Sequence, residues 1–361
     1  MPKRLTISDV AQAAGVSEGA VSFALNGRPG VSEVTRQRIL TVARELGWTP
    51  SHRGRALSAS RALAVGLVVA RPPETLGADP FFPAFVAGIE TVLSARRQSL
   101  LLQVVSGRAA EHESYRGLAA DGRVDGVFLT DLHVDDPRPA LLAELGLPAV
   151  LIGPDCGAGW STVAVDDRPG IVAAVEHLVA LGHRTIAHVA GPQTFVHGVS
   201  RKDAWAGTLS AAGLPRGPCI HSDFSAAGGA LATDALLDRA DPPTAIVYAN
   251  DLMAVAGMSA AARRGVDVPG NLSVTGFDDT PVAAHLQPGL TTVRTDAIGW
   301  GAAAALALLA LIDRKPLPPT DLSPPVLVIR ASTAAPPAPR IRAFSTGPSH
   351  DAAAPTDRRT P

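Results

Sequence analysis

Four residues near the start of the chain, Glu18, Gly19, Ser22 and Phe23, are spaced to project from one side of a short helix whose other side carries Val21 and Leu25. A buried anchor face combined with an outer face of carboxylate, hydroxyl and ring is suited to meeting base edges in the major groove. The elements that must hold these groups are readable in LTISDVAQAAGVSEGAVSFALN, residues 5–26. Asp9 to Ala14 carries apolar residues at helical spacing, Gly15 ends that helix, and Ser17 caps the next one, which runs to about Leu25. Two short helices joined by a tight turn make a helix-turn-helix; the same letters also describe an ordinary helical hairpin at a domain edge.

A second group of candidate residues lies downstream, at the ends of predicted strands and helices. Apolar runs at 65–70, 100–105, 126–130 and 149–152 alternate with helical patterns at 82–97 and 114–121, as in a parallel sheet covered on both faces. A second unit follows, with strands at 185–190, 245–248 and 272–277 and helices at 166–181, 201–212, 226–239 and 252–264. Two such lobes place a ligand in the crevice between them, at the carboxyl ends of the strands. Arg201 falls at the start of its predicted helix, where a cation is unfavourable unless an anion or hydroxyl partner is supplied, so it reads as a ligand contact. Asp251 follows a strand and can accept two sugar hydroxyls or cap a helix. Asp278 and Asp279 also follow a strand, with capping, hinge support and ligand binding all open, and Asp166 either caps its helix or touches ligand. Phe81, Phe82 and Phe224 can stack on a ligand ring or belong to the core.

Charge and composition bound the function. Residues 1–63 hold nine Lys/Arg and four acids, a charge of +5 on a chain whose formal total is −1. A basic head on an acidic body suits docking of one end on phosphates. The 46% hydrophobic content comes largely from alanine, and the most apolar stretch, 301–312, is too short to span a bilayer. The opening Met-Pro-Lys-Arg does not read as a signal peptide, and Cys156 and Cys219 lack metal-type spacing, so a cytoplasmic protein with reduced thiols is expected. The one G-x-S-x-G string, residues 15–19, falls in the turn between two predicted helices and not after a strand, so it is no nucleophile elbow, and there is no G-x-x-x-x-G-K loop and no His-rich metal motif. No enzyme activity, catalytic residue, cofactor or metal is therefore expected. The alternative of a solute-binding protein shares the two-lobed body but has no use for residues 5–57.

The words T-I-x-D-V-A-x-x-A-G-V-S, V-S-x-x-L-N-G, V-S-x-x-T-R-x-R-I and L-G-W-x-P, in this order across residues 5–57, resemble the LacI/GalR family of bacterial transcriptional regulators. Asp79-Pro80-Phe81-Phe82, Arg201-x-x-Ala204-Trp205, Asn250-Asp251-x-Met253-Ala254 and Gly276-Phe277-Asp278-Asp279 extend the likeness through the body. The resemblance implies an α/β fold: a small all-α helix-turn-helix head at 1–49, a hinge helix and linker at 50–63, and a doubly wound, periplasmic-binding-protein-like effector and dimerisation domain at 64–334. Its first lobe would span about 64–164 and 293–325, its second about 165–292 and 326–334. Thr6, Ser22, Asn26, Ser32, Thr35 and Arg36 match positions that hold phosphates or helix ends. Glu18, Gly19 and Phe23 match base-reading positions, and Arg55 belongs to the basic hinge. Leu57 matches the hinge leucine that wedges into the minor groove. Phe23 stands where arginine is commonest and offers only apolar contact, for instance to a thymine methyl. Asp79, with Asp where Asn is commoner, and His197, where relatives present small polar residues, join the expected effector-binding set of Phe81, Phe82, Arg201, Phe224, Asp251 and Asp278. The expected partners are double-stranded operator DNA, a sugar or related effector between the lobes, and a second copy of the chain, with no membrane. The segment 335–361, rich in Pro, Ala, Ser and Thr, is expected to be a disordered tail without the tetramerising leucine heptad of some relatives.

Overall fold

The computed structural model describes residues 5–25, 28–48, 61–154 and 159–337. Asn26, the hinge with Arg55 and Leu57, Cys156 and the tail beyond Pro337 lie outside the described residues.

The head packs α1 (Ile7–Ala14), α2 (Glu18–Leu25) and α3 (Glu33–Glu45) around Val10, Ala14, Val21, Ala24 and Ile39. Local chemistry fixes each boundary. Thr6 and Asp9 form a reciprocal capping box at α1, and Gly15 ends it at φ 62°, in the left-handed region that glycine tolerates. The Ser17 hydroxyl accepts from Ala20 N at 3.2 Å, and the Ser32 hydroxyl accepts from Thr35 N at 3.3 Å. Trp48 Nε1 donates to Leu5 O at 3.1 Å, tying the end of the head to its beginning.

The first lobe is a five-stranded parallel sheet, order β2-β1-β3-β4-β5, built from β1 (Ala64–Val69), β2 (Ser99–Val104), β3 (Val127–Leu129), β4 (Ala149–Ile152) and β5 (Thr162–Val163). Its helices are α4 (Pro73–Ala78), α5 (Phe81–Ala95), α6 (Arg108–Ala120) and α7 (Arg138–Glu144). The second lobe carries α8 (Arg168–Ala180), β6 (Ile186–Ala190), α9 (Val196–Ala211), β7 (Cys219–His221), α10 (Ala226–Leu237), β8 (Ala245–Tyr248), α11 (Asp251–Arg263) and β9 (Ser273–Thr275), with sheet order β7-β6-β8-β9. The strands β10 (Thr292–Arg294) and β11 (Val326–Val328) form an antiparallel pair, and a parallel bridge from Thr291 to Thr275 sets them beside the second sheet. Between them, α12 (Ala297–Ile312) returns to pack on α5. The chain therefore passes between lobes after β5, after β10 and before β11. Reciprocal glycines permit the α5–α12 crossing: a Cβ on Gly88 would lie 2.0 Å from Ile298 O, and one on Gly301 would lie 2.0 Å from Phe85 O.

Several elements differ from the sequence reading. Helix α9 begins at Val196, five residues before the expected start, because it opens without a side-chain cap and so leaves no capping signal. Arg201 is thus inside a helix, not at its start. The short α4, β5 and β7 were not anticipated, being too brief to show a period. Among the described residues, no helix is long and apolar enough to cross a membrane.

Candidate functional site

A cavity of about 750 Å³ opens between the lobes, at the carboxyl ends of both sheets. On the first lobe, Arg71 follows β1 and Asp131 follows β3. Arg71 donates through Nε and Nη2 to the two oxygens of Asp131, both at 2.6 Å, and through Nη1 to Asp79 at 2.7 Å. Asp79 also accepts from Phe81 N at 3.0 Å, which fixes the entry of α5. Burial raises the Asp79 carboxyl despite the neighbouring guanidinium. Burial works against charge on Asp131 too, but the bidentate Arg71 outweighs it and holds that carboxyl below its ordinary range. Arg138 braces this wall from beneath, donating to Glu111 at 2.6 Å and to the Thr130 and Asp131 carbonyls at 3.1 and 2.8 Å.

On the second lobe, Arg201 donates from Nε to Asp167 Oδ2 at 2.8 Å and from Nη1 to Ala249 O at 2.5 Å; its Nη2 lies 2.7 Å from the same Asp167 oxygen in an ion pair, and its guanidinium 3.7 Å from the Phe277 ring centroid. Asp278 faces the cavity from a backbone at φ 114°, its amide bonded to Val293 O. No hydrogen bond reaches its carboxylate from the described residues. Burial pushes that carboxyl well above its ordinary range.

The rings form two platforms. Phe81 and Trp300 pair edge to face at 6.0 Å on the first lobe. On the second, His197 is stacked between Phe195 and Phe224, with centroids 5.4 Å away on either side. Burial drops His197 to about 4, so the ring is neutral at pH 7. Two backbone hydrogen bonds span the lobes beside this stack, Val196 N to Leu132 O at 2.8 Å and Val134 N to Thr194 O at 3.0 Å.

Of the residues expected at the cleft, Asp79, Phe81, His197, Arg201, Phe224 and Asp278 line the cavity. Phe82 does not; it is buried in the first-lobe core, where Arg71 lies 5.1 Å from its ring. Asp251 does not either. It is buried and accepts from Thr280 N at 2.8 Å and Thr292 Oγ1 at 2.5 Å, with burial pushing its carboxyl up to about 6. The helix cap is its neighbour Asn250, whose Oδ1 accepts from Met253 N at 2.9 Å and whose Nδ2 donates to Phe224 O at 3.0 Å. Asp166 lines the cavity rim and pairs with Arg168. Asp279 instead binds Arg294 and Arg330. Arg71, Asp131 and Trp300 went unnoticed in the sequence. Arg71 and Asp131 each stand two residues past the end of a parallel strand, so inspecting every strand's carboxyl end would have found both.

In the head, Glu18, Gly19 and Phe23 are exposed, with Phe23 at 40%, a large area for a ring on a solvent-facing helix. The Glu18 carboxylate accepts from Ser8 Oγ at 2.5 Å. Ser22 and Thr35 are half-buried, Ser17 and Ser32 exposed. Arg36 donates to Arg28 O at 3.0 Å, closing the loop before α3.

The comparisons with known proteins bear on both sites. The family described as "Bacterial regulatory proteins, lacI family" matches residues 6–51, and a "Periplasmic binding protein-like domain" matches residues 175–333. The HTH-type transcriptional regulator CelR of Thermobifida fusca is 38% identical over 297 residues, 81% of this chain and 87% of that protein. A solved CelR–cellobiose complex superposes with TM-score 0.70 at 35% identity, covering 91% of this chain and all of that one. The lac repressor dimer bound to operator and the anti-inducer ONPF gives TM-score 0.78 at 29% identity, covering 92% of this chain and all of that one. A DNA-binding head matched together with the two-lobed body excludes the reading as a solute-binding protein. The chain belongs to the LacI family of bacterial transcriptional regulators.

Proposed function

We propose that this regulator is a homodimeric repressor that acts in the cytoplasm, binds a saccharide between its lobes and changes its affinity for operator DNA in response. The observation that carries the reading is the cleft itself, where carboxylates and arginines alternate with two aromatic platforms. Rings cover the apolar faces of a pyranose, and charged groups pair with its hydroxyls. Asp79, Phe81, His197, Phe224 and Asp278 face the ligand, and Arg201 acts through the Asp167 that it orients. In the head, Glu18, Gly19, Ser22 and Phe23 face base edges. Thr6, Ser17, Ser32, Thr35 and Arg36 serve phosphates and helix ends, with Asn26, Arg55 and Leu57 completing the surface. Two-fold symmetry doubles a half-site read by one helix. The likeness to a cellobiose-bound regulator and to an operator-bound dimer supports both halves of the proposal.

The test selects binders from randomised duplexes, then titrates the recovered site by fluorescence anisotropy with and without neutral disaccharides. A two-fold-symmetric site whose affinity changes at least tenfold with one sugar is the expected result. Non-specific binding alone, with a steep salt slope and indifference to every sugar, overturns the proposal.

A further inference from the structure

The chain enters the body at Arg61, and the residues there are fastened to separate parts of the first lobe. Arg61 Nη1 donates to Asp313 Oδ1 at 2.8 Å, at the carboxyl end of α12, where Lys315 Nζ donates to the other oxygen at 3.0 Å. The amides of Ala62 and Leu63 converge on Asp125, donating to its two carboxylate oxygens at 2.7 and 2.9 Å. Leu63 O accepts from Ser99 N at 3.1 Å and Ala64 O accepts from Asp125 N at 2.7 Å, which locks the turn to the start of β2 and the approach to β3. Leu63 stands at φ 53°, in the left-handed region that a residue with a Cβ adopts only when its surroundings impose it. The turn is therefore made by Asp125 and not by Leu63. Without that carboxylate two partly buried donors lose their acceptor, and Leu63 relaxes toward the extended backbone it prefers. Such a relaxation changes the direction in which the chain leaves β1 toward the head. The Arg61–Asp313 pair is a second fastening further out, so the two together fix a direction and not merely a point.

We propose that Asp125 and Asp313 form a socket that sets the exit direction of the chain toward the DNA-binding head, and that both are positioning residues for operator binding. Neither lines the cleft, and the inference rests on operator binding and not on the identity of the effector. A two-fold-symmetric operator requires two recognition helices at one spacing, so freedom at the exit of each body is entropy that operator binding has to remove. Sequence-independent binding needs phosphates alone and tolerates any spacing. The sign separates this role from plain electrostatics. Both residues are acids, and neutralising an acid strengthens attraction to DNA of every sequence. The socket demands the opposite, a loss of affinity, and for the operator only.

The experiment titrates the full chain by fluorescence anisotropy against the symmetric duplex that the parent selects from a random pool, and against a scrambled duplex of equal length. The variants are Asp125→Ala, Asp125→Asn and Asp313→Asn, with Asp121→Asn as the charge control, an exposed acid at the end of α6 and outside the socket. Asp125→Asn keeps the size and one acceptor, so a folding failure of the alanine variant leaves the asparagine one, and Asp313 is on the surface. The expected operator affinity falls by about tenfold in Asp125→Ala, about fivefold in Asp125→Asn and about threefold in Asp313→Asn. Affinity for the scrambled duplex stays at or above that of the parent, and the control matches the parent on the operator to within about twofold. Adding Leu63→Asn to Asp125→Ala recovers part of the loss, because asparagine takes the left-handed conformation readily. Operator affinity at or above the parent's in the three socket variants overturns the proposal. Equal losses on both duplexes mark general damage and overturn the positioning role. No recovery with Leu63→Asn overturns the part given to the turn at Leu63. A parent that selects no symmetric duplex overturns this inference together with the operator reading.

Discussion

Replacing Arg138 by methionine tests whether the wall of the cleft depends on a buried ion network beneath it. Arg138 is 2% exposed and Glu111 is fully buried, and the two meet at 2.6 Å. In Arg138→Met, Glu111 keeps only the Tyr115 hydroxyl, at 3.3 Å, while Asp136 loses its guanidinium and the carbonyls of Thr130 and Asp131 lose a donor. Removing one partner of a buried pair costs about 3–5 kcal/mol, because the remaining charge stays desolvated and unpaired. At this domain size that corresponds to a fall in Tm of roughly 10 °C. The double variant Glu111→Gln/Arg138→Met removes the stranded charge and recovers about half of the loss. Urea denaturation gives the free energies, and calorimetry gives the Tm values. Because Arg138 holds the segment that carries Asp131, and Asp131 holds Arg71, the single variant also weakens saccharide binding by about tenfold. A single variant within 1 kcal/mol of the parent, or a double variant no more stable than the single, would refute the reasoning.

Three further predictions concern other parts of the molecule. Burial drops His188 from 6.5 to about 4, while its Nδ1 lies 2.8 Å from Val247 O. The folded value lies below the unfolded one, so the stability His188 contributes is complete above about pH 6.5 and is lost as pH falls toward 4. That amounts to about 3 kcal/mol. Denaturation between pH 4 and 7 should show a flatter acid slope in His188→Gln, and an unchanged slope would discard the assignment. Gly88→Ala puts a methyl on Ile298 O at the α5–α12 crossing, which should destabilise the body by about 1–3 kcal/mol in chemical denaturation. Phe23→Ala should weaken operator binding by about 1–3 kcal/mol while leaving the salt slope unchanged, because a ring touches bases and not phosphates. Replacing the thymine it meets by uracil should cost the parent protein affinity and the variant none.

Legibility in the sequence followed the range of the interactions involved. The caps Thr6, Ser17 and Ser32 act within a turn, so the head could be read from a few letters. Strands β4 and β8 fell at their expected residues because continuous apolar runs bounded by polar ones mark buried strands. Asp251 illustrates what could not be read. It sits at the carboxyl end of a strand, as a ligand-binding carboxylate would, yet its partners Thr280 and Thr292 come from segments 29 and 41 residues away. Local position shows where a side chain starts; only the tertiary arrangement shows that the cavity lies on the Asn250 and Asp278 side. Phe82 was misread for a similar reason, since two adjacent rings on a helix face different directions and only Phe81 reaches the cleft.

The contacts that close the cleft also bound how an effector can control the head. Across the lobes run two backbone hydrogen bonds, Val196 to Leu132 and Val134 to Thr194. The Arg71 guanidinium, anchored on the first lobe, also lies 5.6 Å from the Phe195 and Phe224 rings of the second. Net, each hydrogen bond is worth about 1 kcal/mol and each cation–π contact about 0.5–2 kcal/mol, so the direct lobe-to-lobe latch amounts to a few kcal/mol. A ligand that binds the closed and open forms equally well shifts nothing, however tight it is. An effector of this protein must therefore discriminate between the forms by a comparable few kcal/mol. It can do so only by touching both walls at once, since contacts to a single lobe survive opening. Asp278 and His197 on one side, with Asp79 and Phe81 on the other, provide that two-sided grip. A monosaccharide that reaches one platform should bind without altering DNA affinity, whereas a sugar long enough to reach both should alter it. Parallel titrations of sugar binding and operator release with glucose and a glucose disaccharide separate the two cases, and equal release by both sugars would refute the two-wall argument.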